Sequence, residues 1–471
     1  MVAARAVPDA VAVRLRASPP HPLGPVDPPA GFQEPPGSGM MRAIMGERLV
    51  IRGGVVSAGG APAPATLVVE DGRIAAVVPA PEPVAAAPGD WEVDAAGRFV
   101  VPGAIDAHTH LALGGQAPRL LHEWRATLRR ILEPRAGVDA VEALTAAGAA
   151  AALKAGVTCA FDLLRAAPGQ AVASLAAAAR GVETVGLRTV LAYAASDRAG
   201  EGEGLREAVA ASAFAERHAS HPFLRGAGGL DGLDAAHPSL LAALGPIAAR
   251  HGLLASVAED DTDLSAAYFR GALRPIDLLA ARGLLGPRTV VGHGSTTVRD
   301  EGARLASSGT TLAATPRSAS FWGQPMPPLA ELAGTGASVV LGSDGLFPDT
   351  ACELVATTLF HRGQARSPRA AQDLAGQVLW PGAARLASRF FGAPLGVLEP
   401  GAVADLVILD WRPAVPLPDL PQGDLALLWA GAQAAWTIVG GQVRLREGRL
   451  LGVDETALAA RAQAAAERLL S

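Results

Sequence analysis

Two imidazoles, His108 and His110, stand two residues apart at the exit of the apolar run Phe99-Val100-Val101-Pro102-Gly103-Ala104-Ile105-Asp106. Side chains on a strand repeat every two residues, so both rings project from one face and can converge on a single divalent metal that activates water. Such a pair can equally be two hydrogen-bonding loop residues, and the decision rests on donors arriving from elsewhere in the chain. Gly342-Ser343-Asp344-Gly345 places a carboxylate directly after an apolar strand, where it either caps the next helix or faces the same site. His293, ending Thr289-Val290-Val291-Gly292-His293, is either a core-edge histidine or a site residue from another strand. Glu259 and Asp162 also close apolar runs.

The elements that must position these groups alternate between apolar strands and Ala/Leu-rich helical stretches, the pattern of a parallel sheet with crossover helices. Candidate strands are Val100 to Ile105, Thr158 to Leu163, Arg188 to Ala192, Gly226 to Leu230, Leu253 to Ala258, Thr289 to Gly292, Thr311 to Ala314 and Ser338 to Leu341. Eight strands in roughly 290 residues fit an α/β fold of the (β/α)8 TIM-barrel type, in which chemistry sits at the C-terminal strand ends. His108, His110, Asp162, Glu259, His293 and Asp344 all fall at such ends.

Before the barrel, Leu49 to Ile51, Thr66 to Glu70 and Ile74 to Val78 read as short strands, with Asp71-Gly72 as a hairpin turn. Ala404 to Asp410 and Thr437 to Val443 repeat that pattern near the other end. The two ends are expected to pair into a small β-sandwich bracketing the barrel. The expected layout is a Pro-rich disordered extension over 1–40, composite-sandwich segments over 41–100 and 397–450, the barrel over 101–396, and a terminal helix over 451–471 capped by Asp454.

In that order, His-x-His on strand one, Glu after strand five, His after strand six and Asp after strand eight resemble the amidohydrolase superfamily, in its cytosine-deaminase-like branch of chlorohydrolases and aminohydrolases. The likeness extends to Ser196-Asp197-Arg198-Ala199-Gly200, Gly283-Leu284-Leu285-Gly286-Pro287, Pro316-Arg317-Ser318 and Pro400-Gly401-Ala402-Val403-Ala404-Asp405-Leu406. It implies one divalent metal, zinc first and iron or manganese next, held by His108, His110, a strand-five histidine and Asp344. It further implies that Glu259 shuttles protons, that Asp344 takes part in proton transfer, and that His293 polarises the substrate or orients the attacking water. The implied reaction is hydrolysis of a non-peptide carbon–nitrogen bond in a small nitrogenous compound.

This chain departs from the family pattern at several positions. Ser256 stands where the strand-five histidine is expected, Asp162-Leu163-Leu164 replaces Asp-His-His, Gly229-Leu230-Asp231 replaces Gly-Leu-His, and Thr315-Pro316 replaces Asn-Pro. Serine is a poor donor for zinc, which prefers nitrogen and sulfur. His108, His110 and Asp344 can still form a three-ligand site, and His293 or Asp231 could swing in as a fourth. The rival reading is a non-catalytic relative that keeps the barrel as a binding or assembly module. The binuclear form of the superfamily needs a carboxylated lysine on strand four, and the chain's only lysine, Lys154, precedes strand two.

Composition narrows the partners. With 471 residues and 50% hydrophobic content a large core is easily supplied, while a net charge of −5 leaves no basic surface for nucleic acid. The uncharged stretch 425–443 breaks at Gly440-Gly441 and reads as a short buried helix and a strand, so no membrane span is expected. Cys159 and Cys352 form no CxxC, which fits a reducing cytoplasm. The expected partner is a small-molecule substrate, with homo-oligomerisation open because relatives are often dimers or larger. Phe321 and Trp322 either stack on a flat substrate ring or pack beneath their loop.

Overall fold

The computed structural model describes residues 48–57, 62–113, 137–346, 348–365, 374–412, 429 and 431–470. The expected extension over 1–40, and most of the stretch preceding Trp429, lie outside them. From the first chain end come β1 (Arg48–Val56), β2 (Ala63–Glu70), β3 (Arg73–Pro79), β4 (Trp91–Asp94) and β5 (Phe99–Pro102). The barrel strands are β6 (Ala104–Thr109), β7 (Val157–Leu164), β8 (Arg188–Tyr193), β9 (Leu224–Leu230), β10 (Leu253–Val257), β11 (Thr289–His293), β12 (Thr311–Ala314) and β13 (Ser338–Leu341). β14 (Leu406–Leu409), β15 (Ala434–Val439), β16 (Gln442–Arg446) and β17 (Arg449–Leu450) follow, and a helix, Glu455–Leu470, ends the chain with Asp454 accepting from the Ala457 amide at 3.0 Å.

Strands β6 to β13 are hydrogen-bonded in chain order as an eight-stranded parallel sheet, the α/β barrel expected from the alternating pattern. The seam between its first and last strands is drawn together by the Asp344 amide, which donates to the His108 carbonyl at 3.0 Å. On β10, β11 and β13 the residue two positions below the rim is apolar. Leu254 lies below Ser256, Val290 below Gly292 and Val340 below Gly342, and the three apolar residues join Phe161 and Val190 in one buried cluster closed by Phe390. The interior is therefore a packed core up to the C-terminal ends, where polar side chains begin.

Both chain ends interleave in a second sheet of nine strands, ordered β17-β16-β15-β14-β5-β1-β2-β3 with β4 beside β1. The continuous apolar run expected as the first barrel strand, Val100 to Ile105, is in fact divided. Val101 and Pro102 pair with Val407 and Leu406 in the terminal sheet, and the barrel strand starts only at Ala104. The division falls at Gly103, where a Cβ would lie 2.1 Å from the Thr158 hydroxyl, so only glycine lets the chain pass between the two sheets. A buried ion pair locks them together: Arg188 at the foot of β8 donates to both carboxylate oxygens of Asp405 at 2.7 and 2.9 Å, beside β14. Asp405 also accepts from the Gly440 amide at 2.6 Å.

Candidate metal centre

Asp106 fixes the strand that carries the paired imidazoles. Its Oδ1 accepts from the Ser343 amide at 2.9 Å and from the His108 amide at 3.4 Å, and its Oδ2 accepts from the Ser343 hydroxyl. That one carboxylate thus ties β6 to the turn that presents Asp344. Glycines make the approach possible, since a Cβ at Gly342 would lie 2.6 Å from the His108 carbonyl and one at Gly292 would lie 2.5 Å from its ring. Three non-glycine residues at the rim, Ala258, His293 and Asp344, hold left-handed φ values of 60°, 70° and 56°. Such conformations cost energy and persist only where the surroundings impose them.

These constraints bring His108, His293 and Asp344 onto one point, with His110 beside Asp344. His110 Nε2 is 3.3 Å from Asp344 Oδ1, His293 Nε2 is 3.7 Å from it, and His108 Nε2 is 3.8 Å from it. The His108 and His293 Nε2 atoms are 3.3 Å apart, and Glu259 stands beside them with its Oε2 4.0 Å from His293 Nε2. The ligand atoms of His108, His293 and Asp344 all lie within 4.8 Å of one another. Asp344 Oδ2 accepts from the Ser318 hydroxyl at 2.5 Å, which orients Oδ1 towards the imidazoles.

Electrostatics favour a lone pair rather than a second proton on the rings of His108 and His110. Burial, reinforced by His293 and His110, holds His108 well below the usual histidine value, and burial with the Arg165 guanidinium lowers His110. Burial alone would raise Asp344, but the imidazoles of His293, His110 and His108 outweigh it and keep the carboxyl well below its ordinary range. A neutral imidazole, as at His108, and an ionised carboxylate, as at Asp344, are each the donor state that a divalent cation requires. At zinc bond lengths near 2.0 Å the edge of a tetrahedron is about 3.3 Å, close to the 3.3 to 3.8 Å separations among His108, His293 and Asp344. His110 Nε2 is buried without a hydrogen-bond partner, as an atom reserved for a ligand would be.

A profile for the amidohydrolase family matches residues 99–444. The chain belongs to the amidohydrolase family. It is 29% identical to the 8-oxoguanine deaminase of Pseudomonas aeruginosa over 88% of this chain and 97% of that protein. It is 27% identical to a 5'-deoxyadenosine deaminase of Methanothermobacter thermautotrophicus over 90% of this chain and 99% of that protein. In fold it is similar to an adenosine deaminase from Xanthomonas campestris with bound zinc (TM-score 0.74, 19% identity, 89% of this chain and 98% of that one). An atrazine chlorohydrolase from Arthrobacter aurescens complexed with zinc superposes with a TM-score of 0.74 at 19% identity, over 88% and 99% of the two chains.

Other residues in this amidohydrolase lie away from the centre or beside it. Asp231, which the sequence left open as a swinging ligand, is instead engaged by Arg165 Nε at 2.6 Å and Arg198 Nε at 3.3 Å. Asp162 Oδ1 accepts from the Leu111 amide at 2.9 Å and so holds the turn after His110. Lys154 pairs with Glu455 of the terminal helix, outside the barrel mouth. Trp322 packs against the main core and meets Phe321 edge to face at 4.7 Å, which favours packing over an open stacking platform.

Sequence reasoning missed Arg165. The residue follows Leu163-Leu164, and its Nη2 donates to the Ser256 hydroxyl at 3.3 Å, so a guanidinium reaches the position from which the strand-five imidazole is missing. A charged residue directly after a wholly buried strand was the available signal. Thr315, noted only as a departure from Asn, is 3.1 Å from His293 Nδ1 through its hydroxyl and orients that ring.

Proposed function

We propose that this amidohydrolase is a metal-dependent hydrolase that releases ammonia or an amine from a small nitrogenous compound, a heterocycle or amidine. The observation that carries the reading is the convergence of His108, His293 and Asp344 on one point at the barrel mouth, with His110 beside Asp344. The named deaminases it resembles over most of their length support the reaction class. A divalent cation, zinc before iron or manganese for this nitrogen-rich donor set, supplies there a Lewis acid that lowers the pKa of water towards about 7.

The chain's own groups handle the protons. Asp344, ionised and oriented by Ser318, accepts a proton from the attacking water through Oδ1. Glu259 is buried, and its backbone amide is held by Asp263 Oδ2 at 3.3 Å, which aims the carboxyl into the mouth. It carries a proton to the leaving nitrogen as the carbon–nitrogen bond breaks and the carbon–oxygen bond is completed. The test is ammonia release from a panel of purines, pyrimidines and amidines by protein loaded with zinc, iron or manganese. Turnover should vanish on chelation and fall by about 10²–10⁴-fold in Glu259→Gln, with metal content unchanged. Absence of turnover across the panel in metal-loaded protein refutes the activity.

One observation favours the rival reading of a non-catalytic binding module: the Arg165 guanidinium places a positive charge against Ser256, beside the centre. Metal analysis separates the two. Only traces of metal in protein purified without chelator and then dialysed against zinc would support the rival.

A further inference from the structure

Two hydrogen-bond acceptors do not face each other in a protein interior unless something positive lies between them. The Leu163 carbonyl oxygen, 2.6 Å from His110 Nδ1, can only accept, so that nitrogen bears a proton and in the neutral ring His110 Nε2 is a lone pair. It faces the Asp344 carboxylate at 3.3 Å without hydrogen-bond geometry. His293 approaches the same point from β11. Its Nε2 is 3.3 Å from that of His108 and 3.7 Å from Asp344 Oδ1, and its Nδ1 is engaged by the Thr315 hydroxyl at 3.1 Å.

The short side chain at position 256 leaves His293 this place. Ser256 Oγ is at hydrogen-bond distance, 3.1 Å, from His293 Nε2. The backbone turns the ring inward as well. His293 has φ +70°, and the Gly294 amide closes a tight turn around it by donating to the Gly292 carbonyl at 3.1 Å. Gly292 itself, lacking a Cβ, admits the His108 ring alongside.

We infer that His293 is the fourth protein ligand of the cation, taking the place of the imidazole absent at position 256 rather than polarising the substrate. The inference rests on the metal-site reading above. It gives a core of His108 from β6, His293 from β11 and Asp344 from the turn after β13, and the His110 imidazole, 3.3 Å from Asp344 Oδ1, completes an accepted donor set for zinc. With the His293 lone pair committed to the cation, proton transfer is left to Glu259 and Asp344. Thr315 becomes the group that orients the ligand's ring.

X-ray absorption on the zinc-loaded full chain counts imidazoles directly, and chelator competition gives the affinity. Three imidazoles per zinc are expected in the wild type and two in both His293→Ala and His293→Gln. Affinity should fall at least about 100-fold in these variants, since outer partners alone are worth about 10–100-fold. Thermal melts of the metal-free variants check that they remain folded, and the wild-type imidazole count needs no variant at all. Two imidazoles in the wild type, or His293→Gln holding zinc as tightly as the wild type while His108→Gln loses it, overturns the ligand assignment and leaves the metal site standing. Failure of the wild type to bind zinc stoichiometrically overturns both.

Discussion

Arg165 offers the sharpest perturbation of this centre, because it puts a full positive charge next to a site built for a cation. Hydrogen bonds of 3.3 and 3.1 Å in series, Arg165 to Ser256 and Ser256 to His293, bring the guanidinium within roughly 6 Å of His293 Nε2. At an effective dielectric constant of about 20, a unit charge and a dication at that separation repel by about 5 kcal/mol. Asp231, 2.6 Å from Arg165 Nε, cancels much of this. In Arg165→Met the repulsion is removed while Asp231 keeps its contact with Arg198. A residual gain of about 1.4–2.8 kcal/mol, or about 10- to 100-fold tighter zinc binding, is expected from competition against a chromogenic chelator. The gain should shrink in molar salt only modestly, because the group is buried. Unchanged or weaker zinc binding in a folded Arg165→Met protein refutes the electrostatic reasoning and assigns the guanidinium a purely architectural role.

Three further outcomes follow from contacts away from the cation. Gly292→Ala places a methyl group 2.5 Å from the His108 ring and should weaken zinc binding by about tenfold or more, with the fold intact by circular dichroism. Asp405→Ala strands the buried Arg188 guanidinium, and breaking one partner of such a pair costs about 3–5 kcal/mol; a loss below about 1 kcal/mol in urea denaturation contradicts the interlock. Burial, with Glu203, Asp231 and Asp197 nearby, pushes Glu207 up from 4.5 to about 8, so the folded protein keeps a proton that the unfolded chain releases. That contribution is complete below pH 4.5 and is lost as pH rises through about 8. Glu207→Gln should therefore gain stability relative to the wild type between pH 5 and pH 8, by more than about 1 kcal/mol, and a pH-independent difference would contradict the assignment.

What the amino-acid order reveals depends on the range of the interaction. Thr311 to Ala314 and Ser338 to Leu341 match β12 and β13 residue for residue, because each is a short apolar run between turn residues. The run Phe99 to Ile105 does not reveal its division, since a strand buried in one sheet and its continuation buried in another look alike, and only contact between Gly103 and Thr158 separates them. His108 and His110 are legible together through the period of two. The approach of His293 to them is not, because it needs the closed barrel and a left-handed φ on a histidine. Arg165 is hidden for the same reason, its partners Asp231 and Ser256 lying 66 and 91 residues further along the chain.

Backbone strain bears on whether the centre is a working site or a relic. Among the described residues, non-glycine positive φ values occur at Asp71, Ala258, Ala272, His293, Asp344 and Glu447. Asp71 and Glu447 lie in hairpin turns followed by glycine, and Ala272 follows Gly271 in a loop, where such values are ordinary. The other three present Glu259, His293 and Asp344 at the mouth of the barrel. Left-handed backbone at non-glycine positions costs on the order of 1–3 kcal/mol each. Loops alone do not require that expense, and a barrel serving only as an assembly module would be more stable without it. Three such conformations gathered beside Ser256 at one rim are what the proposed metal site requires. In that proposed site the ligands would be held in place before the cation arrives, with the cost of aligning them already met by the fold.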